Sequence, residues 1–144
     1  VTSGPDPFQL RRFLDAQDGV IDTAVAELRA GRKQGHWMWF VFPQMGGLGQ
    51  SPTAEYYAIR SIHEARAYLA HPILGERLRV AVDAILGWAS TRTVAEILGD
   101  VDAMKLRSSL TLFEAVSGDP LFALALDAFF EAPDETTLRL IGQV

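Results

Sequence analysis

The chain predicts an all-α, multihelical domain of about seven helices, and three observations carry that expectation. Helix start and stop signals recur along its whole length, and apolar residues repeat at helical spacing between them. Strand signals are scarce: there is no alternating β–α pattern and no Asn-Gly or Asp-Gly turn set between alternating apolar runs.

Taken in order, Asp6 before Pro7 reads as an N-cap with proline in the first helical position, followed by Phe8, Leu10, Phe13 and Leu14. The pattern runs on through Val20, Ile21, Val25 and Leu28 to Gly31, with a break expected at Asp18-Gly19. Ser61-Ile62-His63-Glu64 has the form of a capping box, in which hydroxyl and carboxylate each satisfy a free amide at a helix start. Ala65 to Leu69 continue that helix. His71-Pro72 restarts the chain, and Ile73, Leu74, Leu78, Val82, Ile85 and Leu86 mark one stripe of a long helix ending near Trp88. Thr93-Val94-Ala95-Glu96 is a second capping box, before a short helix that Gly99 ends. Asp100 or Asp102 is expected to cap the next helix, which turns Leu106, Leu110 and Phe113 inward and Arg107, Thr111 and Glu114 into a polar stripe, and closes at Gly118. Asp119-Pro120 repeats the cap-plus-proline signal before Leu121, Phe122 and Leu126, and Pro133-Asp134 opens a last helix carrying Leu138 and Ile141. One stretch, near residues 35–52, breaks the pattern with Gly35, Pro43, Gly46, Gly47, Gly49 and Pro52. It is expected to be irregular or only briefly helical, packed on the core around the apolar run Trp37 to Phe42.

A length of 144 residues with 49% apolar content fits one domain, placed at residues 6–144 after an unstructured or processed end at residues 1–5. Thirteen basic against eighteen acidic residues give a net charge of −5, which works against broad binding of nucleic acid or an anionic membrane. The acidity sits in the second half. With no cysteine, disulfides and thiolate chemistry are excluded. The run Trp37 to Phe42 is far shorter than the roughly 20 residues a membrane span needs, so the expected location is cytoplasmic. Eleven arginines against two lysines, with abundant alanine, suit a GC-rich bacterial gene.

Positive charge gathers at Arg29, Arg32, Lys33 and His36, immediately before Trp37 and Trp39. Such a group can hold a phosphate while a planar ring stacks on indole. The same residues also suit a helix C-terminus followed by core tryptophans, since cations are favoured at that end. Gln44 can read a ligand edge. Glu55, beside Tyr56 and Tyr57, is the candidate general acid or base, although a carboxylate at a helix start has the same sequence signature. Lys105, Arg107 and Ser108 add cations and a hydroxyl on one later helix. The three histidines lack metal-ligand spacing, so no metal and no cofactor is implied.

The segment from Gly31-Arg32-Lys33-Gln34-Gly35-His36-Trp37-Met38-Trp39 through Gln44 resembles the bacterial family known as domain of unknown function 1810, some members of which carry a calpastatin label. Tyr57-Ala58-Ile59, Glu64 to Pro72 and Lys105 to Phe113 extend the likeness over most of residues 6–141. It implies a mainly helical fold and no established activity. A shorter likeness links Ala54-Glu55-Tyr56-Tyr57 to the Ser-Glu-His-Tyr segment of NADAR/YbiA-like proteins, and Met104 to Phe113 to a later helix of theirs. That group is implicated in ADP-ribose and riboflavin-intermediate chemistry. Here its histidine is Tyr56, and its C-terminal glycine- and asparagine-containing segment is lacking.

Two functions follow as expectations. In the first, Arg32, Lys33, His36, Trp37, Trp39, Gln44, Tyr57, Lys105, Arg107 and Ser108 bind a small anionic or nucleotide-like ligand, with Glu55 acting on it. In the second, the aromatic segment docks a protein partner or a second copy; the chain is expected to be a monomer or a homodimer.

Overall fold

The computed structural model describes residues 5–142, so all but Pro5 of the expected unstructured end lies outside the described residues. Ten helices occur among them, rather than about seven: α1 (Arg11–Gln17), α2 (Ile21–Arg29), α3 (Met38–Val41), α4 (Pro52–Tyr56), α5 (Ile62–Ala70), α6 (Leu74–Leu86), α7 (Val94–Leu98), α8 (Asp100–Ser117), α9 (Pro120–Phe129) and α10 (Glu135–Leu140). The excess comes chiefly from α3 and α4, short turns of helix in and beside the glycine- and proline-rich stretch. No strand forms among the described residues, where a single parallel bridge joins Met45 to Ile59. The all-α class is as the sequence predicts.

Several caps act as their residue types require. Thr93 and Glu96 close a full capping box on α7, Asp119 accepts from Leu121 N at the start of α9, and Asp134 accepts from Thr137 N on α10. Three others differ. The Asp6 carboxylate accepts from Leu10 N and Arg11 N, so the first helix begins after Leu10 and not at Pro7. Ser61 caps α5 through Glu64 N, but the Glu64 carboxylate turns away from the Ser61 amide to Arg60 N and Arg12, leaving half a box. Neither Asp100 nor Asp102 caps α8, whose N-cap is Gly99, because Asp102 is drawn into ion pairs with Lys33 and Lys105.

Helix α6 packs against α2, α3, α5 and α9, and α8 packs against α5, α7, α9 and α10. The layer between them buries Leu28, Leu78, Ile85, Leu106, Phe113 and Phe122 in one contiguous cluster, each contributing about 1.5–3 kcal/mol by leaving water. Gly75 sets the approach of α5 and α6: a Cβ there would lie 2.1 Å from the Leu69 carbonyl oxygen.

Among the polar side chains buried within this apolar frame, Gln17 and Arg12 are fully committed. Gln17 donates to Phe40 O and to the Tyr68 hydroxyl, and accepts from Arg77. Burial of Tyr68 raises its phenol well above the ordinary range. Arg12 is the larger commitment. Nε donates to Tyr56 O, Nη1 to Phe8 O and Gln9 O, and Nη2 to Ala58 O and, at 2.6 Å, to Glu64 Oε2. Both side chains of this ion pair are under 5% exposed, at 4% and 3%. Removing one partner of such a pair leaves a buried charge alone, which costs about 3–5 kcal/mol. Arg12→Ala is therefore expected to lower the unfolding free energy by about that amount in urea titration, whereas a loss no larger than that of an exposed control, Arg11→Ala, would contradict it.

Candidate functional site

The segment after α2 is organised by one carboxylate. Glu27 Oε1 accepts from Gln34 N at 2.7 Å, Gly35 N at 2.9 Å and Trp37 Nε1 at 2.9 Å. Burial alone would raise its pKa, but these three donors and the charge of Lys33 outweigh it and hold the carboxyl below its usual value. Trp37 is thereby seated in the core at 1% exposure, with Met38, Val41 and Phe42 beside it. Trp39 and Phe40 remain half-buried. The aromatic run thus gives most of its surface to the interior, and the large exposed ring nearby is Tyr56 of α4.

From Pro43 the chain turns back along residues 58–60. Ile59 N donates to Gln44 O and Gly46 N to Ile59 O, both at 2.8 Å, which pins the two stretches side by side. Ser51 caps α4 through Ala54 N, with Pro52 in the first turn. The Tyr57 ring is clamped among Phe13, Phe40 and Tyr56, at centroid distances of 5.9, 5.4 and 4.8 Å. Desolvation, with the neighbouring Tyr56, raises its phenol pKa, so the hydroxyl stays a neutral donor and acceptor.

Between these stretches lies a cleft of about 250 Å³. Its walls include Trp39, Gln44, Glu55, Tyr57 and Arg60, and Gly46, Gly47 and Gly49 form part of its lining. Four residues expected from the sequence thus meet here: Trp39, Gln44, Tyr57 and Glu55. Lys105 reaches Trp39 from α8, with Nζ 4.4 Å from the ring centroid.

The others are placed elsewhere. Trp37 is a core residue, for the reason given. Lys33 is used internally, paired with Asp102 at 2.9 Å and lying 5.2 Å from the Trp37 ring centroid. Arg32 and His36 are exposed and do not line the cleft. Arg107 donates to Ala132 O and Pro133 O, tying α8 to the turn before α10. Ser108 is buried and bonds back to Met104 O within its own helix.

Arg60 is the cleft residue that the sequence reasoning passed over. It is exposed, and its guanidinium makes no hydrogen bond or ion pair among the described residues. The available signal was a cation following the Tyr56-Tyr57 pair. Among the described residues no group of three or more His, Asp or Glu could hold a metal, and no helix is long and apolar enough to cross a membrane. His71 is engaged at the start of α6, where Nδ1 accepts from Ile73 N and Leu74 N. A larger groove of about 860 Å³ between α2 and α6, with Ile21, Val25, Ile73 and Val80 in its lining, takes Arg29 from the cationic group before Trp37 but none of the other residues expected at the site.

Fold and cleft together define a multihelical domain that carries a small aromatic and polar cleft beside a turn of helix. The chain belongs to the family described as protein of unknown function (DUF1810), whose model matches residues 7–141, as the resemblance of the Gly31 to Gln44 segment implies. It is similar to the crystal structure of the conserved hypothetical protein Rv1873 from Mycobacterium tuberculosis, at 46% identity and a TM-score of 0.91, over 94% of this chain and 98% of that one. No curated protein matches the chain.

The depressed pKa of Glu27 gives a pH signature with a definite sign. A folded-state value below 4.5 means that the contribution is whole above that pH and is lost as pH falls through the folded value. The stability difference between the parent and Glu27→Gln in urea unfolding should accordingly narrow as pH drops below 4.5. A gap that stays constant would show that the carboxylate is not what holds the loop.

Proposed function

We propose that the cleft binds a phosphorylated small molecule with a planar ring, a nucleotide-like ligand. The observation that carries this reading is the convergence of Trp39, Tyr57, Gln44 and the unpaired Arg60 on one cavity. Indole and phenol supply stacking surface, the amide can read a ring edge, and a guanidinium without a protein partner suits phosphate. The volume, about 250 Å³, lies just under the roughly 300–1,000 Å³ usual for ligand clefts. It suits one ring and one phosphate held inside, with any further part of an ADP-ribose-like molecule extending beyond it.

Glu55 stands on the same wall and is the carboxylate that would transfer a proton to or from the bound molecule. The likeness to NADAR/YbiA-like proteins falls on Ala54-Glu55-Tyr56-Tyr57, which contributes to this wall, and this supports ADP-ribose-related chemistry as the reaction class.

Thermal-shift measurements with inorganic phosphate, AMP, GMP and ADP-ribose test the reading. A ligand present at about 100 times its dissociation constant adds roughly 2.7 kcal/mol, several degrees of Tm for a domain of this size. At least one of the nucleotides is expected to give such a shift, Arg60→Ala and Trp39→Ala are expected to lose it while remaining folded, and Arg107→Ala is expected to keep it. No shift with any compound, or shifts unchanged in both cleft variants, would contradict the reading.

A further inference from the structure

The indole on the cleft wall carries a cation over its ring. Lys105 Nζ lies 4.4 Å from the Trp39 ring centroid, yet Lys105 does not line the cleft that Trp39 lines. The chain's other lysine, Lys33, repeats the arrangement over Trp37 at 5.2 Å. Both ammonium groups share one carboxylate, Asp102, at 2.9 Å from Lys33 and 3.4 Å from Lys105. Glu27 is a second carboxylate that feels the Lys33 charge, so Asp102 is not the sole counter-ion of the pair; with its side chain only 21% exposed, Lys105 keeps a weakly screened charge beside Trp39.

A cation over one face of an indole draws on the negative quadrupole of the ring. A neutral or anionic ring stacked from the cleft side loses nothing by this. A cationic ring loses twice, because the π density it would draw on is already engaged and a like charge stands 4.4 Å from the centre of the same indole. Arg60 on the cleft wall acts in the same direction, and Glu55 is the carboxylate in the lining that opposes it.

We infer that Lys105, acting through Trp39, sets the ring-charge preference of the cleft: its ligand class is a phosphorylated compound with an uncharged or anionic planar ring, and cationic rings are rejected. This rests on the cleft being a nucleotide-like site. Lys105 is a positioning residue in this scheme, since it touches the indole and not the ligand.

The test compares GMP with 7-methyl-GMP by isothermal titration at a pH low enough to keep the methylated ring cationic. The two probes share sugar and phosphate and differ in ring charge and one methyl group. The parent is expected to favour GMP about two- to thirtyfold, the range that a cation–π contact is worth. Lys105→Met is expected to lose that preference and Lys105→Arg, which restores a cation, to keep it. Lys33 still holds Asp102 in both variants, so both are expected to fold. A preference for 7-methyl-GMP in the parent, or the same ratio in the parent and Lys105→Met, overturns the inference and leaves the cleft as a binding site. Binding of neither nucleotide by the parent overturns the inference, and the cleft reading falls with it only if phosphate, AMP and ADP-ribose also leave Tm unchanged.

Discussion

The Arg12 guanidinium spends its five N–H donors on carbonyls of residues 8, 9, 56 and 58 and on the Glu64 carboxylate, and most of what surrounds the cleft is positioned by that commitment. Burying an arginine costs several kcal/mol unless every donor finds a partner, so the folded state requires all of these groups in place together. The planar fork of arginine fits such a set of acceptors, and a lysine with its single ammonium would leave several unsatisfied. By gripping Tyr56 O and Ala58 O, Arg12 fixes the backbone on both sides of Tyr57, whose ring then has one position among Phe13, Phe40 and Tyr56. The bridge between Gln44 to Gly46 and Ile59 carries that rigidity to the opposite wall. A cleft so near the chain's least regular segment is thus held by hydrogen bonds that do not depend on regular secondary structure.

A second polar hub lies beside Trp39, where Lys105 sits over the indole and pairs with Asp102. Asp102 gathers the chain's two lysines over its two neighbouring tryptophans and so joins the segment after α2 to α8. In a chain whose other eleven cations are arginines, these are the two places where a compact ammonium is set against an indole face. Glu27 completes the arrangement by binding the Trp37 indole and the amides before it. Core and cleft divide the aromatic run between them: Trp37 belongs to the first, and Trp39 lies on the boundary.

What could be read in the sequence was what local chemistry decides. The Thr93 to Glu96 box, the Asp119-Pro120 start and the stop at Gly118 each depend on residues within a turn of one another, and each forms as its sequence indicates. Where a side chain had a distant partner on offer, the local pattern misled. Glu64 abandons its capping box for an arginine 52 positions away, and Asp102 leaves its expected cap for Lys33 and Lys105. The same limit applied to the site. Trp39, Gln44, Glu55 and Tyr57 were identifiable as residue types near one another in the chain, but nothing local separates a Trp37 bound to Glu27 from a Trp39 facing a cavity. Arg107 and Ser108 looked available because a helix periodicity shows which face is polar and not what that face meets.

The three tryptophan indole N–H groups provide the most direct test of the account as a whole. Trp37 donates to Glu27 and Trp88 to Leu28 O, both inside the protein, while Trp39 lines the cleft. In nitrogen-labelled NMR titrations with AMP, GMP and ADP-ribose, the Trp39 indole resonance is predicted to shift saturably with at least one of them while those of Trp37 and Trp88 stay in place. Movement of the Trp37 or Trp88 indole without Trp39, or no movement of any of the three, would contradict the claim that the fold builds a ligand cleft at this wall.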